Sequence, residues 1–167
     1  GTGGTGGTGG TGGTGGTGGT GGSTAVDCGF AETCQDATDV GAVRGDEGSD
    51  TIEVEGYSSA WLKVRVNEAD ESVFGSKLKL TASLKPANQT NFDIFLFVNE
   101  DNDVLECTHV AGSSMNTMSQ LDMVTIEWGE GTMANGDDDH RWVTIEVRHM
   151  SGDCDLTKPW KLTLEGN

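Results

Sequence analysis

Two short stretches of the chain concentrate oxygen ligands: Asn99-Glu100-Asp101-Asn102-Asp103 and Asn135-Gly136-Asp137-Asp138-Asp139-His140. Calcium takes about six to eight oxygens, and clustered Asp and Asn on a loop supply several. Asp101, Asp103, Asp137, Asp138 and Asp139 are therefore the candidate calcium ligands. Neither stretch has the EF-hand spacing, which ends on a glutamate. In a chain with 27 acidic and 10 basic residues, net charge −17, such loops are ordinarily solvated turns. That reading is preferred and no cofactor is expected, with calcium as the alternative.

Nucleophilic chemistry has little to start from. His109, His140 and His149 are scattered, and Ser113-Ser114 lies near His109 in a polar stretch read as a loop. There is no Gly-x-Ser-x-Gly, no His-Glu-x-x-His and no phosphate-binding glycine loop. The chain reads as a non-enzyme. Four tryptophans offer rings that stack on apolar sugar faces. Trp128 and Trp160 share a strand face with aliphatic residues and read as core. Trp61 and Trp142 fall on the polar faces of their strands, and are the candidate contacts to a polysaccharide or a neighbouring subunit.

Cys28, Cys34, Cys107 and Cys154 form an even set in an acidic, lysine-poor chain, which fits an oxidising compartment. Four cysteines allow three pairings. The spacing favours a local Cys28–Cys34 bridge and a long-range Cys107–Cys154 bridge. Zinc, with His109 beside Cys107, is disfavoured because no zinc-ribbon or zinc-finger spacing is present. Asn88-Gln89-Thr90 is an N-glycosylation sequon.

These residues need elements to hold them. From residue 51 the apolar pattern has period two. Strands are predicted at Ile52–Glu55, Ala60–Val66, Lys77–Leu84, Phe92–Val98, Val104–Cys107, Met123–Trp128, Arg141–Arg148 and Trp160–Glu165. Phe95 and Phe97 oppose Phe92, Ile94, Leu96 and Val98, which marks a central strand buried on both sides. One apolar and one polar face per strand is the mark of antiparallel sheets. The expected fold is all-β: an antiparallel eight-stranded β-sandwich of jelly-roll type. Three segments follow: a repeat tail 1–22, a disulfide-containing connector 23–50 and the sandwich 51–167.

The order of Trp61, the leucine-rich strand 78–84, Asp93-Ile94-Phe95-Leu96-Phe97, Cys107, an acidic loop, Trp142–Val147 and Trp160-Lys161-Leu162-Thr163-Leu164 resembles the bacterial pre-peptidase C-terminal domain family. The resemblance covers about residues 49–167. It implies a β-sandwich accessory or binding module of secreted proteins. The family's usual Asp-Tyr/Phe-Asp-Leu-Tyr is Asn91-Phe92-Asp93-Ile94-Phe95 here. Loss of the first aspartate weakens any calcium role carried over.

The tail lies outside that resemblance. Thr2, Thr5, Thr8, Thr11, Thr14, Thr17 and Thr20 recur every third residue in glycine. Nothing in the repeat can enter an apolar core. On a polyproline-II-like helix of three residues per turn, all seven threonines share one edge. Bare glycine on the other two lets neighbouring backbones approach, over a length of roughly 70 Å. Composition alone describes a flexible linker. We take the repeat as an assembly element, with a tether as the alternative, and its threonines as candidate O-glycosylation sites.

The acidic balance repels nucleic acid and anionic membranes. It also opposes self-association, from which the neutral tail is exempt. No apolar run is long enough to span a membrane. The chain starts at Gly1 without a signal peptide and reads as a mature or trimmed product. A Gly/Thr spacer of this kind also follows the lipidated cysteine of bacterial lipoproteins, a residue this chain lacks. The reading is an extracellular or cell-surface structural protein that partners itself as an oligomer or filament. The alternative is an accessory module that binds carbohydrate or calcium.

Overall fold

The computed structural model describes residues 26–69, 76–129 and 139–166. The repeat, Asp137 and Asp138 lie outside them. The described residues form nine strands and one 3-10 turn (Cys34–Asp36): β1 Thr38–Arg44, β2 Thr51–Gly56, β3 Ala60–Asn67, β4 Leu78–Lys85, β5 Asn91–Val98, β6 Val110–Ser114, β7 Asp122–Trp128, β8 Arg141–Ser151 and β9 Trp160–Gly166. They make a five-stranded sheet ordered β1-β3-β8-β5-β6 and a four-stranded sheet ordered β2-β9-β4-β7.

The period-two strands behave as alternation requires. Leu62, Val64 and Val66 of β3 face Leu78, Leu80, Ala82 and Leu84 of β4 across the interior. Val143, Ile145 and Val147 of β8 and Leu162 and Leu164 of β9 complete one core cluster. Trp128 and Trp160 are buried at its ends. Their indole N–H groups donate to the carbonyls of Asp139 (3.0 Å) and Ser58 (2.8 Å), as buried indoles need. Gly56 is required where it stands, because a Cβ there would fall 2.1 Å from the Trp160 ring.

Three strand expectations are corrected. Residues 38–44, read as connector, form β1, which runs parallel to β3. The pair is parallel because β2, between them in sequence, returns through the other sheet. The sandwich is therefore mixed, not wholly antiparallel, and has nine strands among the described residues, not eight. Val104–Cys107 is not a strand. The Glu106 carboxylate instead gathers the N–H groups of Cys107 (2.9 Å), Thr108 (2.7 Å) and His109 (3.1 Å) and folds the chain into a turn. The strand follows it as β6, in a stretch read as a polar loop. Gly112 lets β6 close against β7, since a Cβ would meet Val124 Cγ2 at 2.7 Å.

Candidate functional site

Trp61 and Trp142, with Lys63, Arg65 and Glu146, lie on the outer face of the five-stranded sheet, which alternation leaves to the side chains not in the core. Cross-strand register sets them in rows: Trp61, Glu146 and Phe95; Lys63, Thr144 and Phe97; Arg65 and Trp142. Trp61 and Trp142 thus share one face. Glu146, opposite Trp61, is four residues from Trp142, so the two backbone positions are about 14 Å apart along the strands.

Each ring is engaged. Trp61 lies 5.4 Å from Phe97 and 6.0 Å from Phe30, between centroids. Trp142 lies beneath Lys63 Nζ (5.5 Å) and the Arg65 guanidinium (5.3 Å), within cation–π range. Arg148 sits 4.5 Å over Phe95 and grips the buried Glu146 carboxylate with Nε (2.6 Å) and Nη2 (2.8 Å). A buried carboxylate is tolerated because this fork neutralises it and satisfies both oxygens. The Thr144 hydroxyl in the same layer is buried without a hydrogen-bond partner among the described residues.

Part of this face is roofed by the segment that precedes β1. From Cys28 to Ala37 the chain forms a strap. Glu32 Oε1 accepts the Trp61 backbone N–H (3.0 Å), Phe30 covers the Trp61 ring, and Ala37 is buried. Both disulfides hold the strap, and their pairing corrects the sequence expectation. Cys28 bonds Cys154, and Cys34 bonds Cys107, in place of Cys28–Cys34 and Cys107–Cys154. The physical reason is the strap's extended course across the sheet. It carries Cys28 to one end of the sandwich and Cys34 to the turn made by Glu106.

The first bridge is further fixed. The Cys28 carbonyl accepts both the backbone N–H (2.9 Å) and the hydroxyl (2.7 Å) of the buried Ser59. Ser59 Oγ accepts the His149 N–H (3.0 Å), and the Val26 N–H donates to the Cys154 carbonyl (3.2 Å). Among the described residues, Cys28, His149 and Cys154 form the one trio of metal-ligating residue types in close range. Its two sulfurs are joined to each other, so they are not thiolate ligands.

Of the candidate calcium ligands, Asp101 is exposed and Asp103 is engaged by Arg65, whose Nη1 and Nη2 both reach its carboxylate. That guanidinium holds the Asp103 pKa below the ordinary value, helped by His140, whose Nε2 lies 3.5 Å away. Asp139 faces Arg141 at 3.7 Å.

The Ser114 hydroxyl is kept from the histidines. His109 and Ser114 sit at opposite ends of β6, and Ser114 Oγ donates instead to Asp122 (2.7 Å). His149 packs edge-on against Phe92 and bonds the Gly152 carbonyl. Asn88 is exposed on a turn, with Thr90 bonded to the Ala87 carbonyl at 2.8 Å.

One cluster went unrecognised in the sequence. Asp93 and Asp122 are both buried. Burial, and then the neighbouring Asp122 charge, raise the Asp93 pKa. Asp122 Oδ1 accepts from Ser114 Oγ and the Asn116 N–H (2.7 Å), organising the loop between β6 and β7. Its one sequence signal is an acid at an inward position of β7.

No protein-family model matches the chain, and neither does any curated protein. Among solved structures, the fold is similar to the pre-peptidase C-terminal domain of collagenase from Bacillus anthracis, at 12% identity and a TM-score of 0.41, over 77% of this chain and 94% of that one. It is also similar to PliG of Aeromonas hydrophila, a periplasmic lysozyme inhibitor of g-type lysozyme, at 11% identity and a TM-score of 0.29, over 76% and 97%. The family that residues 49–167 resemble is thus among those whose solved structures the fold is similar to.

Proposed function

We propose that the chain is an extracellular, non-enzymatic structural protein, a β-sandwich carried on a Thr-Gly-Gly repeat through which copies assemble into a surface fibre. The observation that carries this reading is the anchorage of the repeat. The repeat ends at residue 22; four residues on in sequence the Val26 N–H donates to the Cys154 carbonyl, and two residues later Cys28 is bonded covalently to Cys154. Tension arriving along the repeat passes from Cys28 straight to Cys154, across a sequence separation of 126. The strap and strands β1–β8 stand outside that path. A flexible leader needs no such fixture, whereas a strand pulled by its neighbours does.

An extracellular setting is supported by the two disulfides, which leave no free cysteine, and by the acidic surface. No helix among the described residues is long and apolar enough to cross a membrane.

Negative-stain electron microscopy of the full chain beside a 1–22 deletion tests the proposal. Filaments that vanish with the deletion are expected. Identical assemblies, or dispersed particles in both samples, overturn it. The second reading, an accessory module that binds polysaccharide, is favoured by Trp142 and its two overlying cations. Quenching of tryptophan fluorescence by a polysaccharide, lost in Trp142→Ala, would establish it.

A further inference from the structure

Residues 110–121, Val-Ala-Gly-Ser-Ser-Met-Asn-Thr-Met-Ser-Gln-Leu, contain no charged residue in a chain of net charge −17. They form β6, the outer strand of its sheet, and the loop that leads to β7, the outer strand of the other. Along this margin the fold exposes large apolar side chains: Met115 is 64% exposed, Met118 49%, Leu121 46% and Met123 56%.

The loop presenting them is tied down. Asp122 Oδ1 holds the Asn116 N–H, and Asn116 Nδ2 donates to the Leu121 carbonyl (2.8 Å). On the other side, the Ser119 N–H donates to the Thr90 carbonyl (3.0 Å), and Ser119 Oγ accepts the Gln89 N–H (2.9 Å). Four bulky apolar groups are thus held toward solvent within nine residues, and the one acid among those nine, Asp122 at the start of β7, is fully buried and adds no surface charge. Clustered exposed apolar groups of this kind mark contact surfaces, and methionine adapts readily to a facing surface.

We propose that this methionine corner is where a second copy of the chain docks, patch against patch. Charge decides between occupants. A basic partner would find no acid in the patch to pair with. Two copies otherwise repel each other, and the uncharged margin is where that repulsion is least. A patch meeting its own copy about a twofold axis is self-complementary. Backbone pairing is not the means, because β6 is short and bulged opposite Leu96 and Phe97, as guarded sheet edges are. The contact is therefore made by the side chains of Met115, Met118, Leu121 and Met123. This deepens the fibre reading and rests on it only in taking copies of this chain as neighbours, since the corner is separate from the repeat.

Sedimentation equilibrium of the full chain and of the 1–22 deletion tests the proposal, across concentration and from about 0.01 to 1 M salt, where the Debye length falls from about 30 to 3 Å. The deletion is expected to dimerise, more tightly at high salt, and the full chain to make the same contact within larger assemblies. Met118→Glu with Met123→Glu should weaken the dimer roughly tenfold or more, the loss expected of central apolar contacts. Met118→Gln with Met123→Gln should weaken it less, and unchanged melting of both variants shows an intact fold. A monomer at every salt concentration overturns the proposal, as does a dimer indifferent to these substitutions or a corner occupied only by a different protein. Dimers that persist in the deletion while filaments vanish confirm the corner and the repeat as independent contacts. Dimers with no filaments in either protein refute the fibre alone.

Discussion

Glu106 shows how one carboxylate redirects a segment. Its Oε1 receives the Thr108 hydroxyl (2.6 Å) and three consecutive backbone N–H groups, and these donors lower its pKa to about 2 from an ordinary 4.5. The folded-state value lies below the unfolded one, so its contribution is complete above about pH 4.5 and is lost as pH falls toward about 2. Glu106→Gln removes that dependence. Thermal melts through this range should show a shallower acid loss in the variant than in the parent chain, with the Cys34–Cys107 end loosening first. Alternation is the one signal in Val104–Cys107, and it points to a strand. A side chain that captures the N–H groups after it leaves no mark in hydrophobic periodicity.

At the scale of elements, the seven strands with bulky alternating faces were legible in the sequence. β1 and β6 were not. In β1 only Val43 is buried, and Gly41 at φ +114° interrupts the register. In β6 the small residues that permit close approach to β7 erase the alternation that would have announced it. Parity puts Trp61 and Trp142 on the strand faces away from the core, where register sets them on one side of the sheet, but their covers come from elements distant in sequence, which parity does not reach. The strap shows this most clearly, since its position depends on partners 73 and 126 residues away. Cys34→Ser with Cys107→Ser should cost about 4 kcal/mol by loop closure. It should also red-shift the Trp61 emission as Phe30 lifts away. Denaturant melts followed by tryptophan fluorescence measure both.

For the molecule as a whole, the Cys28–Cys154 bridge divides the chain into a stretch that feels tension and one that does not. Pulled from residues 1 and 167, the oxidised protein should release little beyond the repeat and β9. Reduction should add about 430 Å of contour, from the 126 residues of sequence separation at roughly 3.3–3.6 Å each. Force–extension traces with and without reductant read this directly. The same connectivity bears on biogenesis. In a chain exported with its N-terminus leading, Cys28 and Cys34 emerge together, long before Cys107 and longer still before Cys154. The neighbours are free to oxidise with each other first, and that premature loop would hold the strap off the sheet. Correct maturation therefore calls for a thiol–disulfide isomerase to reopen the early bond, and yield in a host lacking one should be limited at that step.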